Sequence, residues 1–306
     1  MKAAVITGFG GPEVVTIAEV PPGSALQPHQ VALRIEAASA NPLDLKILAG
    51  YMQQVFPVSF PYVPGTDFSG VVVATGAEVS HLQRGTRVFG RCAPTAGGAF
   101  AQHLCIDAQQ LCVMPAEMSF EQAASLASTY GTARQALFDN GKLARGQRVL
   151  IHAGAGGVGS MAVQLAHLAG AYVIATASAA NTALVMGLGA DEVIDYRTSA
   201  MSQVRDIDLV LDTIGGATLQ RSWPMVRAGG RIVTLVEFGI APVNGVHAQS
   251  VFFADAAPAL PEAVGQFQAG RLQIIIDSIF ALPDTRAALE KLATGHARGK
   301  VVIRMR

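Results

Sequence analysis

Glycines at 154, 156, 157 and 159 interrupt an apolar stretch of this 306-residue chain, and their spacing is the clearest chemical signal in it. Gly154, Gly156 and Gly159 fit G-x-G-x-x-G, the turn that carries a strand into a helix beneath a diphosphate. The spacing gives each glycine a task. Gly154 is expected to permit the tight turn, Gly156 to let the backbone approach the diphosphate, and Gly159 to let the helix pack on the strand. The helix then offers unpaired N–H groups and the positive end of its dipole to the anion. The ligand implied is a dinucleotide coenzyme. Gly157 belongs to the same turn, and Val158 is expected to press against the nicotinamide end.

A coenzyme with a 2′-phosphate differs from one without it by two negative charges, so nearby carboxylates decide between them. NAD-binding units place an acidic residue about twenty positions past the glycines, on the ribose 2′-hydroxyl. Here residues 174–181 read Ile-Ala-Thr-Ala-Ser-Ala-Ala-Asn, with no carboxylate. Ser178 and Asn181 offer hydrogen-bond donors instead, and Tyr196 and Arg197 add a phenol and a positive charge. NADPH is therefore expected over NADH. A blander reading of Ser178 and Asn181 is that they cap the following helix. Thr213 and Leu235 follow two further strands at their carboxyl ends, where ligands bind in parallel sheets. His152, inside an apolar strand, reads as a satisfied core residue. No Ser-His-Asp or Cys-His constellation is recognisable.

The elements that must position these groups alternate. Strand character at 149–153, 172–176, 192–195, 209–213, 231–236 and 248–253 is interleaved with helical spacing at 160–169, 181–188 and 219–226. Such alternation predicts a doubly wound parallel sheet. The first 120 or so residues differ: Val- and Ile-rich runs, plainest at 71–76 and 87–90, are separated by turns at 8–12, 21–24, 57–64, 76, 85 and 97–98. They predict a curled, barrel-like sheet. Ser119 and Gln122 are spaced as a capping box opening a helix. A helix near 286–292 and a strand at 300–305 close the chain and are expected to return to the first domain. The domains expected are 1–122 with 265–306, and 123–264.

Composition excludes several classes. The chain carries 22 basic and 22 acidic side chains, so no charge excess points to nucleic acid or an anionic membrane surface. Three cysteines, Cys92, Cys105 and Cys112, lack C-x-x-C spacing and suit a reducing cytoplasm. Residues 149–190 hold no Asp, Glu, Lys or Arg. That run is long enough to span a bilayer, but glycines break it and strand and helix alternate within it, as in a buried parallel sheet. Met1-Lys-Ala-Ala-Val-Ile-Thr reads as a strand and has no signal-peptide design.

The stretch Gly146-Gln-Arg-Val-Leu150-Ile-His-Ala-Gly-Ala-Gly-Gly-Val-Gly159 with Gln164 resembles the signature of zinc-less medium-chain dehydrogenases/reductases, in their quinone oxidoreductase branch. The similarity continues through Asn41-Pro-Leu-Asp44, Pro64-Gly-Thr-Asp67-Phe-Ser-Gly70, Thr132-Ala133, Leu188-Gly-Ala-Asp191-Glu-Val-Ile-Asp-Tyr196, Leu211-Asp-Thr-Ile-Gly-Gly216 and Gly299-Lys-Val-Val. The resemblance implies a GroES-like β-barrel catalytic domain, a Rossmann domain, NADPH dependence, and a homodimer joined through the last Rossmann strand, here 248–253. Zinc dehydrogenases of the superfamily ligate metal with Cys where Asn41 stands and with Gly-His-Glu where Gly65-Thr66-Asp67 stands. Asn and Thr are poor zinc ligands, so no metal is expected.

Roles follow from the same resemblance. Asn41 is expected to meet the substrate or the nicotinamide ribose, or else to be an Asn-Pro turn residue, and Thr132 to lie beside the nicotinamide carboxamide, or else to pack a helix. Lys46 and Tyr51 are candidate donors to a substrate oxygen, against the plainer reading of each as an exposed loop side chain. Some quinone reductases place Tyr where Lys46 stands, whereas branches that reduce α,β-unsaturated carbonyls carry Lys. Relatives often have Lys in place of Asn181. The activity implied is hydride transfer from NADPH to a small electron-poor acceptor, a quinone or an enal or enone. Two other readings are an enoyl-thioester reductase and a NADPH-binding protein without catalysis.

Overall fold

Apolar runs bounded by glycine and proline become strands throughout the first 113 residues. The computed structural model describes residues 1–21, 25–198, 201, 203–253 and 255–306. From Pro22 onward the turn expected at 21–24 lies outside the described residues. In chain order the first elements are β1 (Lys2–Val5), β2 (Thr16–Glu19), β3 (Gln30–Ala40), α1 (Pro42–Leu48), β4 (Asp67–Thr75), β5 (Arg87–Arg91), β6 (His103–Asp107) and β7 (Leu111–Val113). Two helices follow, α2 (Phe120–Ala124) and α3 (Ala127–Arg134). Ser119 and Gln122 form the expected box: Gln122 N–H donates to Ser119 Oγ at 3.1 Å, and Ser119 N–H to Gln122 Oε1 at 2.9 Å.

The alternating half supplies β8 (Arg148–Ile151), α4 (Gly157–Leu168), β9 (Tyr172–Ala177), α5 (Thr182–Gly187), β10 (Glu192–Asp195), β11 (Ile207–Asp212), α6 (Gly216–Ser222), β12 (Val226–Thr234) and β13 (His247–Ser250). The chain closes with α7 (Leu260–Gln268), β14 (Ile276–Ala281), α8 (Thr285–Ala293) and β15 (Lys300–Arg304).

Contacts divide the chain into one unit of Met1–Ser128, Ala254–Gln268 and Ile274–Arg306, and another of Thr129–Phe253 with Ala269–Gln273. Residues 123–128 and 255–264, expected with the parallel sheet, thus cluster with the first unit, and 269–273, expected with the first domain, cluster with the second. In that unit seven strands run in the order β14-β15-β3-β4-β5-β7, with β6 added to β3. β3 holds them together. One edge pairs with β4, while the other pairs with β6 over Gln30–Arg34 and with β15 over Ala37–Ala40. Bulges in the β3–β4 ladder bend the strand and give the sheet its curl. This is a GroES-like domain.

The second unit is a six-stranded parallel sheet in the order β10-β9-β8-β11-β12-β13. Counted from β8, that is the 3-2-1-4-5-6 order of a Rossmann fold, which reverses direction between β8 and β11. Leu150, Ile174, Ile194, Val210 and Ile232 are buried at its centre, with Leu219 and Met225 packed over them. Burial on both faces is why these strands read as continuous apolar runs.

Two expectations change. The helix expected over 219–226 is α6 followed by a 3-10 turn, Trp223–Met225, because Pro224 cannot continue an α-helix. The strand expected at 248–253 pairs only over His247–Ser250; Val251 still bonds Thr234 O, and Phe252 and Phe253 leave the ladder.

Candidate functional site

The glycine turn leaves β8 at the point where the strand order reverses. Gly159 lies so close to the turn that a Cβ on it would stand 2.0 Å from the Ala153 carbonyl oxygen. At Gly154 a Cβ would meet Ala175 Cβ at 2.9 Å. These glycines are needed for space. The left-handed residue of the turn is Ala153, with φ 52°, and none of Gly154, Gly156, Gly157 or Gly159 has positive φ. The expectation that Gly154 supplies the turn's conformation is therefore corrected: Ala153 makes the turn, and Gly159 makes room for it. A non-glycine residue in that region is uncommon and costs roughly 1 kcal/mol or more. α4 begins with Gly156 as its N-cap, so no side chain covers its first N–H groups. Val158 is half-buried at this helix start.

A buried network braces the turn. His152 is fully buried, with Nδ1 3.2 Å from Thr176 Oγ1 and Nε2 2.8 Å from Ser222 Oγ. The Ser222 hydroxyl donates to Thr218 O, so Nε2–H must be the donor to Ser222. Thr176 Oγ1 accepts Ala153 N–H and turns its own proton to Nδ1. Burial pushes the His152 imidazolium down to about 4, and the ring is neutral at pH 7. It is a satisfied core residue, but one that ties β8, β9 and α6 to the turn. Thr213 Oγ1 donates to His152 O at 3.0 Å. Asp212, buried beside it, accepts from Ile214 N, Gly215 N and Thr234 Oγ1, and Leu235 N–H bonds Asp212 O. Thr213 and Leu235 thus stand at the carboxyl ends of β11 and β12. Thr132 is half-buried on α3, one residue from Gly131, whose Cα faces the Phe253 ring.

At the end of β9, Ser178 and Asn181 are half-buried, and neither side chain makes a capping bond. The capping reading of these two is not met. Tyr196 is exposed. Arg197 is committed elsewhere: its Nε and Nη2 reach Asp195 Oδ1 and Oδ2 at 3.0 and 2.9 Å, and it lies over the Tyr196 ring. Asp195 Oδ2 also accepts Ala179 N–H at 3.3 Å. No carboxylate directly follows β9 in the sequence, yet β10 brings one there. The Arg197 guanidinium holds this carboxyl down to about 2.

In the first unit, polar residues from distant parts of the chain converge. Asn41, 9 % exposed, precedes α1. Its Nδ2 donates to Asp67 Oδ2 at 3.1 Å and lies 3.4 Å from Thr66 Oγ1. Its Oδ1 accepts from Lys300 Nζ at 2.6 Å. Asp44 Oδ2 accepts Asn41 N–H at 2.7 Å, the carboxyl half of a capping box. Burial pushes the Asp44 carboxyl up to about 7, against the opposing pull of the Asn41 hydrogen bond and the Lys300 charge. Ser128 donates to Asp67 Oδ1 and accepts from Arg91 Nε. Both ends of the Asn41 carboxamide are thus occupied within the unit. Lys46 lies half-buried in the last turn of α1, and Tyr51, 82 % exposed, follows it with its N–H on Lys46 O. Lys300 stands in the Gly299-Lys-Val-Val motif, and nothing local to residue 300 marks it as Asn41's partner.

Comparison with known proteins agrees with both units. Residues 27–116 match the family described as alcohol dehydrogenase GroES-like domain, and residues 188–303 the family described as zinc-binding dehydrogenase. A chloroplastic quinone-oxidoreductase homolog of Spinacia oleracea is 32 % identical over 99 % of this chain and 98 % of its own. A chloroplastic NADPH-dependent alkenal/one oxidoreductase of Arabidopsis thaliana is 32 % identical, over 99 % of this chain and 79 % of its own. The solved quinone oxidoreductase of Coxiella burnetii superposes with TM-score 0.92 at 32 % identity, covering 100 % of this chain and 99 % of that one. Fold and glycine turn define a medium-chain dehydrogenase/reductase, and the chain belongs to that family, in its quinone oxidoreductase branch. It is an oxidoreductase.

The zinc in that family description does not fit the residues present. Positions 41 and 66 offer a carboxamide and a hydroxyl, and the carboxamide oxygen is already taken by an ammonium. Among the described residues no three His, Cys, Asp or Glu side chains are grouped as metal ligands. No described helix is long and apolar enough to cross a membrane.

Proposed function

We propose that the protein is an NADPH-dependent, zinc-independent reductase that delivers hydride to a quinone or to the β-carbon of an α,β-unsaturated carbonyl. The observation that carries this is the uncapped N-terminus of α4 beneath a turn held open by Gly159, at the strand-order reversal of a Rossmann sheet. Gly154, Gly156, Gly157 and Gly159 hold the diphosphate. Ser178, Asn181 and Tyr196 meet the 2′-phosphate with donors that no capping bond occupies. Thr132, Val158, Thr213 and Leu235 serve the nicotinamide end. NADPH, when bound, supplies the hydride; the chain's residues orient it and exclude water. Lys46 and Tyr51 donate to the acceptor oxygen as charge develops on it. Asn41, its carboxamide oriented by Lys300 and Asp67, holds the head of α1 in place and meets the substrate or the nicotinamide ribose.

The alkenal/one oxidoreductase at 32 % identity supports an electron-poor small molecule as acceptor. β13 ends the strand order, and its outer edge suits pairing with a second copy in a homodimer. The setting is cytoplasmic, in keeping with three unpaired cysteines. The test is oxidation of NADPH, with NADH in parallel, against a panel of quinones, enals, enones and enoyl thioesters. Turnover of quinones or enones is expected. Turnover of thioesters alone assigns an enoyl-thioester reductase, and tight NADPH binding with no turnover assigns a binding protein.

A further inference from the structure

A lysine ammonium is buried at a cost unless oxygens replace its water. Lys300 is 5 % exposed, and its Nζ donates to Ala40 O at 2.7 Å and Asn41 Oδ1 at 2.6 Å, with Asp67 Oδ2 at 4.0 Å. Lysine has only donors and a carboxylate only acceptors. The Asn41 carboxamide lies between the two, so its orientation is fixed from both ends: Oδ1 to Lys300, Nδ2 to Asp67. Asp44 fixes the Asn41 N–H in turn. These bonds join the start of β15, the end of β3 and the start of β4 at one point, the head of α1. That seven-residue helix carries Lys46, and Tyr51 is tied to its last turn.

We propose that Lys300 is a positioning residue for acceptor reduction: its ammonium locks Asn41 at the head of α1 and so sets where Lys46 and Tyr51 stand. The inference rests on the reading that those two side chains meet the acceptor. Without the ammonium, Ala40 O and Asn41 Oδ1 lose a donor inside the unit, the carboxamide is held from its Nδ2 end alone, and the head of α1 loses its tie to β15. A lysine that served stability alone would leave acceptor kinetics unchanged in the folded protein.

The test compares Lys300→Met, which keeps the bulk and removes the charge, with Lys300→Arg. The arginine keeps the charge, but its planar fork is longer and cannot place one nitrogen on both oxygens. Expected in both is an acceptor KM raised about tenfold, with NADPH affinity within about twofold of the parent. Backbone amide exchange should quicken over residues 42–51 and stay unchanged over 149–177. Unchanged acceptor KM together with unchanged exchange at 42–51 overturns the proposal, as does a loss falling equally on NADPH binding. If neither variant folds, Lys300 belongs to stability and the proposal fails. If the parent protein binds NADPH but reduces no acceptor, the reading of function is what fails, and amide exchange alone then decides whether Lys300 anchors α1.

Discussion

At the scale of single residues, the coenzyme site depends on what is too small to obstruct it. Gly159 approaches the Ala153 carbonyl more closely than any side chain permits. Gly159→Ala must either push α4 away or flatten the left-handed turn at Ala153, and both displace the N–H groups meant for the diphosphate. Loss of NADPH affinity by about a hundredfold is expected, read by fluorescence titration on a variant whose circular dichroism is unchanged. The second residue-scale device is the Asp195–Arg197 pair. Asp195 is bonded to Ala179 N–H, beside Ser178, and a bare carboxylate there would repel a 2′-phosphate. Arg197 neutralises it through two hydrogen bonds. Arg197→Ala should lower the ratio of kcat/KM for NADPH over NADH by about tenfold, and Asp195→Asn should raise it. Equal ratios in all three proteins would remove the pair from coenzyme choice.

At the scale of elements, what the sequence disclosed follows from how local each signal is. The parallel strands were legible because burial on both faces leaves unbroken apolar runs, and α4 because its glycines and its apolar spacing lie within one stretch. The capping box of α2 was equally local, a bond between residues three apart. Nothing in the sequence marks β14, since its residues are half-buried or exposed and carry no alternation that a pattern could catch. The end of the last Rossmann strand is obscured for a related reason: Phe252 and Phe253 look like strand residues, yet they are engaged by Phe238 and Gly131 instead of a ladder. Asn41 was singled out by resemblance, but the partner that fixes it lies 259 residues away. Only pairing of β15 with β3 brings the two together, and no spacing records such a pairing.

At the scale of the whole molecule, the two units carry opposite pH dependences. In the Rossmann unit His152 is neutral when folded, its ionisation pushed from 6.5 to about 4 by burial, with Asp212 opposing the shift. The unfolded chain therefore binds the extra proton between those values, and stability falls as pH drops from 6.5 towards 4. In the GroES-like unit Asp44 is displaced the other way, from 3.8 to about 7. Here the folded chain holds the extra proton, so stability falls as pH rises from 3.8 towards 7. The ceiling on each contribution is on the order of 3–4 kcal/mol. In the parent protein the two offset one another across most of that window, and removal of either exposes the other. Asp44→Asn should expose a loss of thermal stability on acidification from about pH 7 to about pH 5, while His152→Gln should show a gain over the same step. Scanning calorimetry of the parent and both variants at those two pH values reads the slopes directly, and parallel slopes in all three would show that neither group links protonation to folding.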